Sequence, residues 1–173
     1  IQRVEVNDIV QHCVELAESV MAARSVRVSV EPCEEPCHVL GSTPAIGGIL
    51  AHALSNAAKF AARHVRVSVQ READSSGRLC VRVSVRDDGP GMSREAVDTA
   101  FELFTCNKAS STHRRQGGSG LGLAESKLLA DAIGAELTIR SSEEDGSGTV
   151  VALTIPEVSE FAIRGKEMLM DDE

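Results

Sequence analysis

The sequence predicts an α/β fold, a two-layer sandwich of the α+β kind in which a mixed β-sheet carries helices on one face. The pentapeptide VRVSV occurs at 26–30, 65–69 and 81–85, and each copy alternates apolar and polar residues as a half-buried strand does. Three longer segments carry apolar residues at helical spacing. The segments do not follow strict strand–helix alternation, which favours a mixed sheet over a parallel one.

The composition is typical of a soluble globular domain with few aromatic residues. The 173 residues are 42% hydrophobic and 25% charged, with four Phe, no Tyr and no Trp. Val, Leu, Ile and Ala must therefore build the core. The formal net charge of −8 argues against the basic surface of a nucleic-acid binder, so we expect no nucleic-acid partner. No apolar run has the length of a membrane span.

The N-terminal half predicts a short strand, a helix, a strand and a second helix. Asn7 is expected to cap the first helix, which continues over 8–24. A Thr-Pro pair opens the second helix, from about 44 to 62. This helix contains Gly47 and Gly48, each of which costs about 1 kcal/mol relative to Ala.

The C-terminal half predicts a hairpin, a helix and two final strands. The stretch VRVSVQREADSSGRLCVRVSV, 65–85, forms the hairpin around a loop that contains Gly. A helix begins near Gly120 and ends at Gly134, and the strands ELTIRS and GTVVALTI follow. We expect one domain over 1–156 and an acidic linker or tail over 157–173.

The five cysteines include a C-x3-C pair, Cys33 and Cys37, in EPCEEPC. This spacing is compatible with half a zinc site or a local disulfide. A solvated acidic loop is the alternative that we favour, because no second ligand pair has zinc-type spacing. We expect reduced thiols in a cytoplasmic fragment. The chain begins IQRVEV without Met, so an upstream part of the protein is expected to hold any membrane anchor.

Polar residues on the second helix point to a ligand. Asn56 and Lys59 lie three residues apart in HALSNAAKF and share one side of an otherwise apolar helix. An amide oxygen there suits Mg²⁺, which prefers oxygen ligands, and an ammonium suits phosphate.

The stretch RDDGPGM, 86–92, follows the third VRVSV strand. Gly89 and Gly91 flank a proline, so the backbone makes a tight turn beside Asp87. A carboxylate at this place can accept a hydrogen bond from an exocyclic amine such as that of adenine. The alternative is a plain turn with a solvated Asp.

The stretch RRQGGSGLGLAESK, 114–127, places four glycines directly before the third helix. Bare N–H groups and the helix dipole at such a terminus form an anion site, for which phosphate is the natural guest. The pattern matches neither the P-loop nor the dinucleotide fingerprint. A flexible glycine loop is the alternative for this stretch alone. Together, the three motifs predict a site for one nucleotide.

These motifs resemble those of the ATP-binding catalytic domain of sensor histidine kinases, in the superfamily that includes DNA gyrase, MutL-type repair proteins and the large heat-shock chaperone. The resemblance covers roughly 4–156. The segments that look like the family's N, G1, F and G2 boxes are, in order, LSNAAKF (54–60), DDGPGM (87–92), AFELF (100–104) and GGSGLGLA (117–124). The resemblance implies the Bergerat ATP-binding fold, with ATP and Mg²⁺ as ligands.

The resemblance also implies roles for single residues. Asn56 would coordinate Mg²⁺, Lys59 would contact phosphate and Asp87 would bind the adenine amino group. Gly89 and Gly91 would shape the base pocket. The residues expected along the phosphates are Gly118, Ser119, Gly120, Leu121 and Gly122, with Ser119 where the family usually has Thr.

The segment 92–119 would be a mobile lid over the nucleotide. Its cations are expected either to clamp phosphate or to be solvated loop charges; they are Lys108, Arg114 and Arg115. The residues expected to anchor the lid to the core are Phe101 and Phe104.

The implied activity is that of a protein histidine kinase in two-component signalling. ATP would donate its γ-phosphoryl group to a histidine on an upstream dimerisation domain, because no histidine of this chain has the acidic neighbour of the family's acceptor. A response-regulator receiver domain would be the further partner, with a monomeric fragment and a homodimeric full-length protein. His52 departs from the family, whose ATP-hydrolysing branches carry Glu there, and this favours transfer over hydrolysis. The alternatives are a pseudokinase module and another ATPase of the superfamily.

Overall fold

The computed structural model describes residues 2–102, 121–143 and 148–158. Seven strands and four helices lie in these ranges. They are β1 (Gln2–Glu5), α1 (Val6–Ala23), β2 (Arg27–Glu31), β3 (His38–Gly41), α2 (Thr43–Phe60), β4 (His64–Ala73), β5 (Leu79–Asp87), α3 (Arg94–Asp98), α4 (Gly122–Ala132), β6 (Glu136–Ser141) and β7 (Thr149–Pro156).

The main sheet has five strands in the order β2-β4-β5-β7-β6, so the predicted mixed sheet is confirmed. β2 is parallel to β4, and the other pairs are antiparallel. The three VRVSV segments become the neighbouring strands β2, β4 and β5. Valines alternate inward along β4 and β5, where they are almost completely buried. The register pairs Val65 with Asp87, which places that carboxylate at the end of the sheet.

The helices α1, α2 and α4 bury their apolar sides against the inward valines in one continuous core. α2 packs against both of the others, and its two glycines lie at these contacts. A Cβ at Gly48 would come within 3.3 Å of Leu129 in α4. The Cys13 thiol of α1 donates to the carbonyl oxygen of Gly47 at 3.8 Å. Small residues therefore let α2 lie close to both neighbours, at the cost in helix propensity that the sequence predicted.

The N-terminus of α1 differs from the prediction. Glu5, not Asn7, is the capping residue, and its Oε1 accepts the Asn7 backbone N–H at 3.1 Å. The helix starts immediately after β1, so no unpaired loop residue is left to act as cap. The Asn7 side chain instead donates to the Cys33 carbonyl at 3.3 Å and accepts the Cys33 N–H at 3.1 Å.

The strand β3 and the short helix α3 were not predicted as separate elements. β3 pairs antiparallel with β1 in a second, two-stranded sheet. The segment EPCEEPC, which precedes β3, is less solvated than predicted, because Cys37 is fully buried. Cys13, Cys33, Cys37 and Cys80 are free thiols.

The last two described residues still contact the domain. Glu157 donates its backbone N–H to the Leu79 carbonyl at 2.9 Å, and Val158 donates to the His38 carbonyl at 3.2 Å. The division of the chain at 156 stays a prediction, since 159–173 lie outside the described residues. Within the described ranges, no helix combines the length and apolar character needed to cross a bilayer.

Candidate functional site

One side of α2 carries the polar residues His52, Asn56 and Lys59 at positions i, i+4 and i+7. The opposite side of the helix faces the core with Ala45, Ile46, Ile49, Leu50, Ala53, Leu54, Ala57 and Ala58. Asn56 and Lys59 are half-buried, and within the described residues no hydrogen bond or ion pair engages either side chain. An amide and an ammonium are therefore held on a rigid element and left available.

The N-terminus of α4 lies beside His52. Leu121 occupies the capping position of α4, and in the part of the chain that the structure describes no side chain accepts the first N–H groups of the helix. The backbone amides that begin at Gly122 thus keep their hydrogen-bonding capacity, and the helix dipole adds partial positive charge. Nδ1 of His52 lies 2.9 Å from the position that a Gly122 Cβ would take. On the other side of the ring, Nε2 of His52 is 3.3 Å from Oε2 of Glu125.

Asp87 ends β5 and is 7% exposed. Its Oδ1 accepts the backbone N–H of Gly89 at 2.8 Å and that of Thr149 at 3.3 Å. In the described part of the chain, no donor reaches Oδ2. Burial raises the pKa of the Asp87 carboxyl above its ordinary value, and the two amides offset part of this effect. The arrangement fixes the carboxylate through one oxygen and leaves the other for a ligand.

The glycine turn after Asp87 is closely surrounded by backbone. A Cβ at Gly89 would lie 2.3 Å from the Phe60 carbonyl oxygen, and one at Gly91 would lie 1.7 Å from the Ser142 carbonyl oxygen. Gly91 also has a φ of +74°, which L side chains rarely adopt. Glycine is therefore required at both positions by contacts of the turn with α2 and with the end of β6.

Asp88, the neighbour of Asp87, has a structural role. Its Oδ1 accepts three backbone N–H groups, those of Ala62, Arg63 and His64, at 2.9, 3.0 and 3.1 Å. Burial alone would raise the pKa of Asp88, but these amides lower it below its ordinary value. Asp88 thereby fixes the connection from α2 to β4.

Two contacts of α2 mark the ends of the surface that carries Asn56 and Lys59, which we call the groove. His52 touches the start of α4, and Phe60 touches the glycine turn at Gly89. These two residues are eight positions apart, or about 12 Å along a helix. Asn56 lies midway between them. The structure therefore places the Asn56 amide between the turn that carries Asp87 and the open N-terminus of α4.

Only some of the remaining predicted site residues lie in the described part of the chain. Phe101 is half-buried and packs against the core. Seven others lie outside the described residues: Phe104, Lys108, Arg114, Arg115, Gly118, Ser119 and Gly120. An open cavity of about 670 Å³ borders the other flank of the glycine turn, between α3 and the end of β6, and none of Asn56, Lys59 and Asp87 lines it.

Sequence reasoning missed the contribution of the last hairpin to the site. The Cβ of any residue at Gly148 would lie 1.9 Å from the Asp87 carbonyl oxygen, and Thr149 donates to Asp87. Ser141 Oγ accepts the Met92 N–H at 2.8 Å and so ties the glycine turn to β6. No local signal marks these residues, because only the pairing of β7 with β5 brings them to Asp87.

Comparison with known proteins gives a consistent result. The family model described as "Histidine kinase-, DNA gyrase B-, and HSP90-like ATPase" matches residues 41–159. The sensor histidine kinase AruS of Pseudomonas aeruginosa is 45% identical over 100 residues, which are 57% of this chain and 10% of AruS. The chain spans between 6% and 16% of the length of the first four curated relatives that it matches.

Solved structures share the fold. The mycobacterial sensor histidine kinase MprB superposes with a TM-score of 0.73 at 23% identity, covering 90% of this chain and 98% of that one. Full-length ShkA, solved in complex with AMPPNP, superposes with a TM-score of 0.73 at 25% identity, covering 90% of this chain and 31% of ShkA.

Proposed function

Because the chain belongs to the histidine kinase-, DNA gyrase B- and HSP90-like ATPase family, we propose that it binds MgATP and donates the γ-phosphoryl group to a histidine on a separate domain. That domain lies upstream in the same protein and forms its homodimer. A response-regulator receiver domain then takes the phosphoryl group, and the catalytic domain works in the cytoplasm. The names of the relatives support this class, since they are sensor kinases of which this chain spans a small part.

The single observation that carries the proposal is the carboxylate of Asp87. Two backbone amides hold Oδ1, so the direction of Oδ2 is set before any ligand arrives. Oδ2 accepts an N–H from the amino group of adenine, and Gly89 and Gly91 shape the base pocket by letting the turn pack closely against α2 and the end of β6. A buried, preorganised acceptor of this kind discriminates against bases that lack the donor, because binding them would leave it without a partner.

The phosphates bind at the other end of the groove. The open N–H groups at the start of α4 supply positive potential there. Lys59 lies on the same polar side of α2 but one residue from Phe60, and its long side chain contacts a phosphate from that side. Gly118, Ser119 and Gly120 extend the anion site, and Lys108, Arg114 and Arg115 clamp the phosphates. These six residues complete the site from the segment outside the described residues.

Asn56 is the residue that fits a magnesium ion. It offers an amide oxygen that no described residue uses, and Mg²⁺ takes oxygen ligands while it keeps several waters. When bound, the ion neutralises charge on the phosphate oxygens.

In the transfer, a nitrogen of the acceptor histidine forms a bond to the γ-phosphorus while the bond from that phosphorus to the bridging oxygen breaks, and ADP leaves. The chain contributes positioning and charge neutralisation. On the polar side of α2, the ionisable residues beside Asn56 are His52 and Lys59, and neither is a carboxylate. This favours transfer. The contact of His52 with Glu125 favours a second candidate, slow ATP hydrolysis with His52 as a weak base.

Calorimetric titration of the purified chain with AMPPNP and Mg²⁺ tests the proposal. The wild type is expected to bind, and Asp87→Asn to bind at least about tenfold more weakly, because an amide NH₂ in place of Oδ2 cannot accept the adenine N–H. Asp8→Asn, on the exposed first turn of α1, is the matched control and should bind like the wild type. Absence of binding by the wild type, or equal affinity of Asp87→Asn, would contradict the proposal.

A further inference from the structure

Residues 32–37, which connect β2 to β3, contain two thiols four residues apart; we call this segment the dithiol loop. The Cys37 side chain is fully buried and the Cys33 side chain is half-buried. The Cys33 thiol is near enough to contribute to raising the pKa of Cys37. The Cys37 thiol donates to the Glu35 carbonyl at 3.4 Å. One thiol is therefore partly open to solvent, and its neighbour is not. Neither belongs to the groove along α2.

The chain holds the backbone under both thiols in place. The Asn7 side chain forms two hydrogen bonds with the backbone of Cys33, and Oε1 of Glu5 accepts the Cys37 N–H at 3.1 Å. Arg71 of β4 completes the support, because it donates to the carbonyl of Pro36 at 3.0 Å. These hydrogen bonds hold the backbone of the loop in place at both cysteines.

The dithiol loop also lies where the first and last described segments meet. Arg71 bonds to Glu35 of the loop and to Glu157, with both N–O distances at 2.6 Å. Glu5, which accepts from Cys37, is the last residue of β1. A covalent change at this loop therefore affects its contacts with β1, with β3 and with residues 157–158, which follow β7.

A metal site is disfavoured by the surroundings. Among the residues that the structure describes, no group of three or more His, Cys, Asp and Glu side chains is arranged to hold a metal ion. Two neighbouring thiols, one half-buried and one fully buried, are instead the arrangement of a reactive thiol with a resolving partner.

We propose that Cys33 and Cys37 are a reversible oxidation site, at which a peroxide converts the two thiols into a disulfide within the dithiol loop. The Cys33 sulfur attacks hydrogen peroxide, an S–O bond forms, the O–O bond breaks and one water leaves. The Cys37 sulfur then attacks the Cys33 sulfur, the S–S bond forms, the S–O bond breaks, and the Cys37 proton leaves with the hydroxide as a second water. Two thiols are oxidised by two electrons, and one peroxide is reduced to two waters. A small dithiol reductant reverses the reaction.

Burial determines which of the two cysteines reacts first with peroxide. Burial raises the pKa of the Cys37 thiol to about 12, so at neutral pH it is a poor first nucleophile. Cys33 is the sulfur that a peroxide can reach. The resulting disulfide forms slowly and only under sustained oxidant, as suits a regulatory bond in a reducing compartment.

Mass spectrometry of the 173-residue chain tests the proposal. After exposure to hydrogen peroxide and alkylation of free thiols, the wild type is expected to carry one internal disulfide, seen as a loss of about 2 Da from the unalkylated pair. After digestion with trypsin, the mass loss should be found in the peptide 28–59, which contains Cys33 and Cys37 and no other cysteine. Dithiothreitol should restore both thiols. The thermal midpoint should rise by about 4–8 °C on oxidation, because the bond restricts the unfolded chain.

Variants separate this site from the other cysteines. Cys33→Ser and Cys37→Ser should each abolish both the mass loss and the thermal shift. A variant with Ala in place of Cys13, Cys80 and Cys106 should keep them. Addition of oxygen to Cys33 without loss of two hydrogens, a disulfide between two chains, or a mass loss that survives Cys33→Ser would each overturn the proposal.

Discussion

At the scale of single residues, Asp87 and Asp88 show that two adjacent carboxylates can be held in different ways. Both lie at the end of β5, and both accept backbone N–H groups. Asp88 satisfies three amides of the α2–β4 connection, whereas Asp87 is buried with one oxygen free of described donors. The surroundings move the two pKa values in opposite directions, and the stability of the protein depends on pH accordingly.

We predict opposite effects on stability from the two substitutions of Asp by Asn. The pKa of Asp87 is raised in the fold, so its contribution to stability is full below the ordinary carboxyl pKa and is lost as pH rises through the folded value. Asp87→Asn should therefore raise the thermal midpoint at pH 7, and the gain should vanish toward about pH 3.

Asp88→Asn is the control for that prediction. The pKa of Asp88 is lowered, so its contribution is present at neutral pH and is lost on acidification. This variant should lower the midpoint at pH 7. Thermal unfolding of both variants between pH 3 and pH 8 measures the effect, and a destabilised Asp87→Asn at pH 7 would show that burial of its charge is not the dominant cost.

Gly148 supplies a second prediction at this scale. It has a φ of +59°, and a Cβ there would lie 1.9 Å from the Asp87 carbonyl oxygen. Gly148→Ala should lower the free energy of unfolding by roughly 2–5 kcal/mol, from backbone strain and overpacking together. Gly134 has a φ of +68° with nothing within 4 Å, so Gly134→Ala isolates the strain and should cost roughly 1–2 kcal/mol. Denaturant unfolding that gave the two variants equal losses would contradict the clash at Asp87.

At the scale of elements, α2 joins the core to the groove. Its apolar side is predictable from helical spacing, and so is the shared side of Asn56 and Lys59. The sequence does not reveal that His52 packs on the first turn of α4, where the ring takes the space that a Gly122 Cβ would need. The packing of α2 on α4 therefore favours glycine at position 122, independently of any ligand.

Arg71 connects three elements, and its removal tests that connection. Its guanidinium bonds to Glu35 in the dithiol loop and to Glu157, whose side chain is 10% exposed. Arg71→Met should lower the free energy of unfolding by roughly 1–3 kcal/mol, because it leaves a nearly buried carboxylate without its partner. Arg82→Met is the control, since the ion pair of Arg82 among the described residues is at 3.5 Å to the exposed Glu72 and its loss should cost less than about 1 kcal/mol. Urea unfolding compares the two, and equal losses would argue that Glu157 does not depend on Arg71.

At the scale of the whole molecule, three of the four described histidines contact another side chain of the domain, and the fourth is exposed. His12 is exposed on α1, His38 lies 3.5 Å from Glu5, and His64 shares a hydrogen bond of 3.0 Å with Ser29. His52, on α2, contacts Glu125. His113 lies outside the described residues. None of the five has an acidic residue directly after it in the sequence.

We therefore predict that the chain alone binds nucleotide and does not phosphorylate itself. Incubation with ATP labelled on the γ-phosphate and Mg²⁺ should yield no acid-labile phosphohistidine on the chain. Label should appear on a dimerisation and phosphoacceptor domain supplied as a separate protein, and Asp87→Asn should abolish that transfer. Stable label on the chain itself would refute the prediction, and steady release of phosphate to water would favour the hydrolytic candidate with His52.

Much of the fold was predictable because local patterns and tertiary packing agree. The alternating valines of VRVSV, the glycine stop at Gly134 and the hairpin of 65–85 each depend on neighbours in sequence. Predictions failed where a distant partner decides the outcome. Asn7 has the chemistry of a helix cap, yet β1 runs directly into α1 and leaves the capping position to Glu5. β3 is short and without alternation, and it exists as a strand because β1 pairs with it.

The sequence by itself determined which chemical groups the groove has, since Asn56, Lys59, Asp87 and the glycines lie in motifs that a reader can recognise. Only the tertiary structure decided how these groups are held. The pairing of β7 with β5 brings Gly148 and Thr149 to Asp87, and the packing of α2 on α4 brings His52 to Gly122. The physical reason is that a side chain's type is a local property, whereas its hydrogen-bond partners, its burial and its pKa depend on residues far away along the chain.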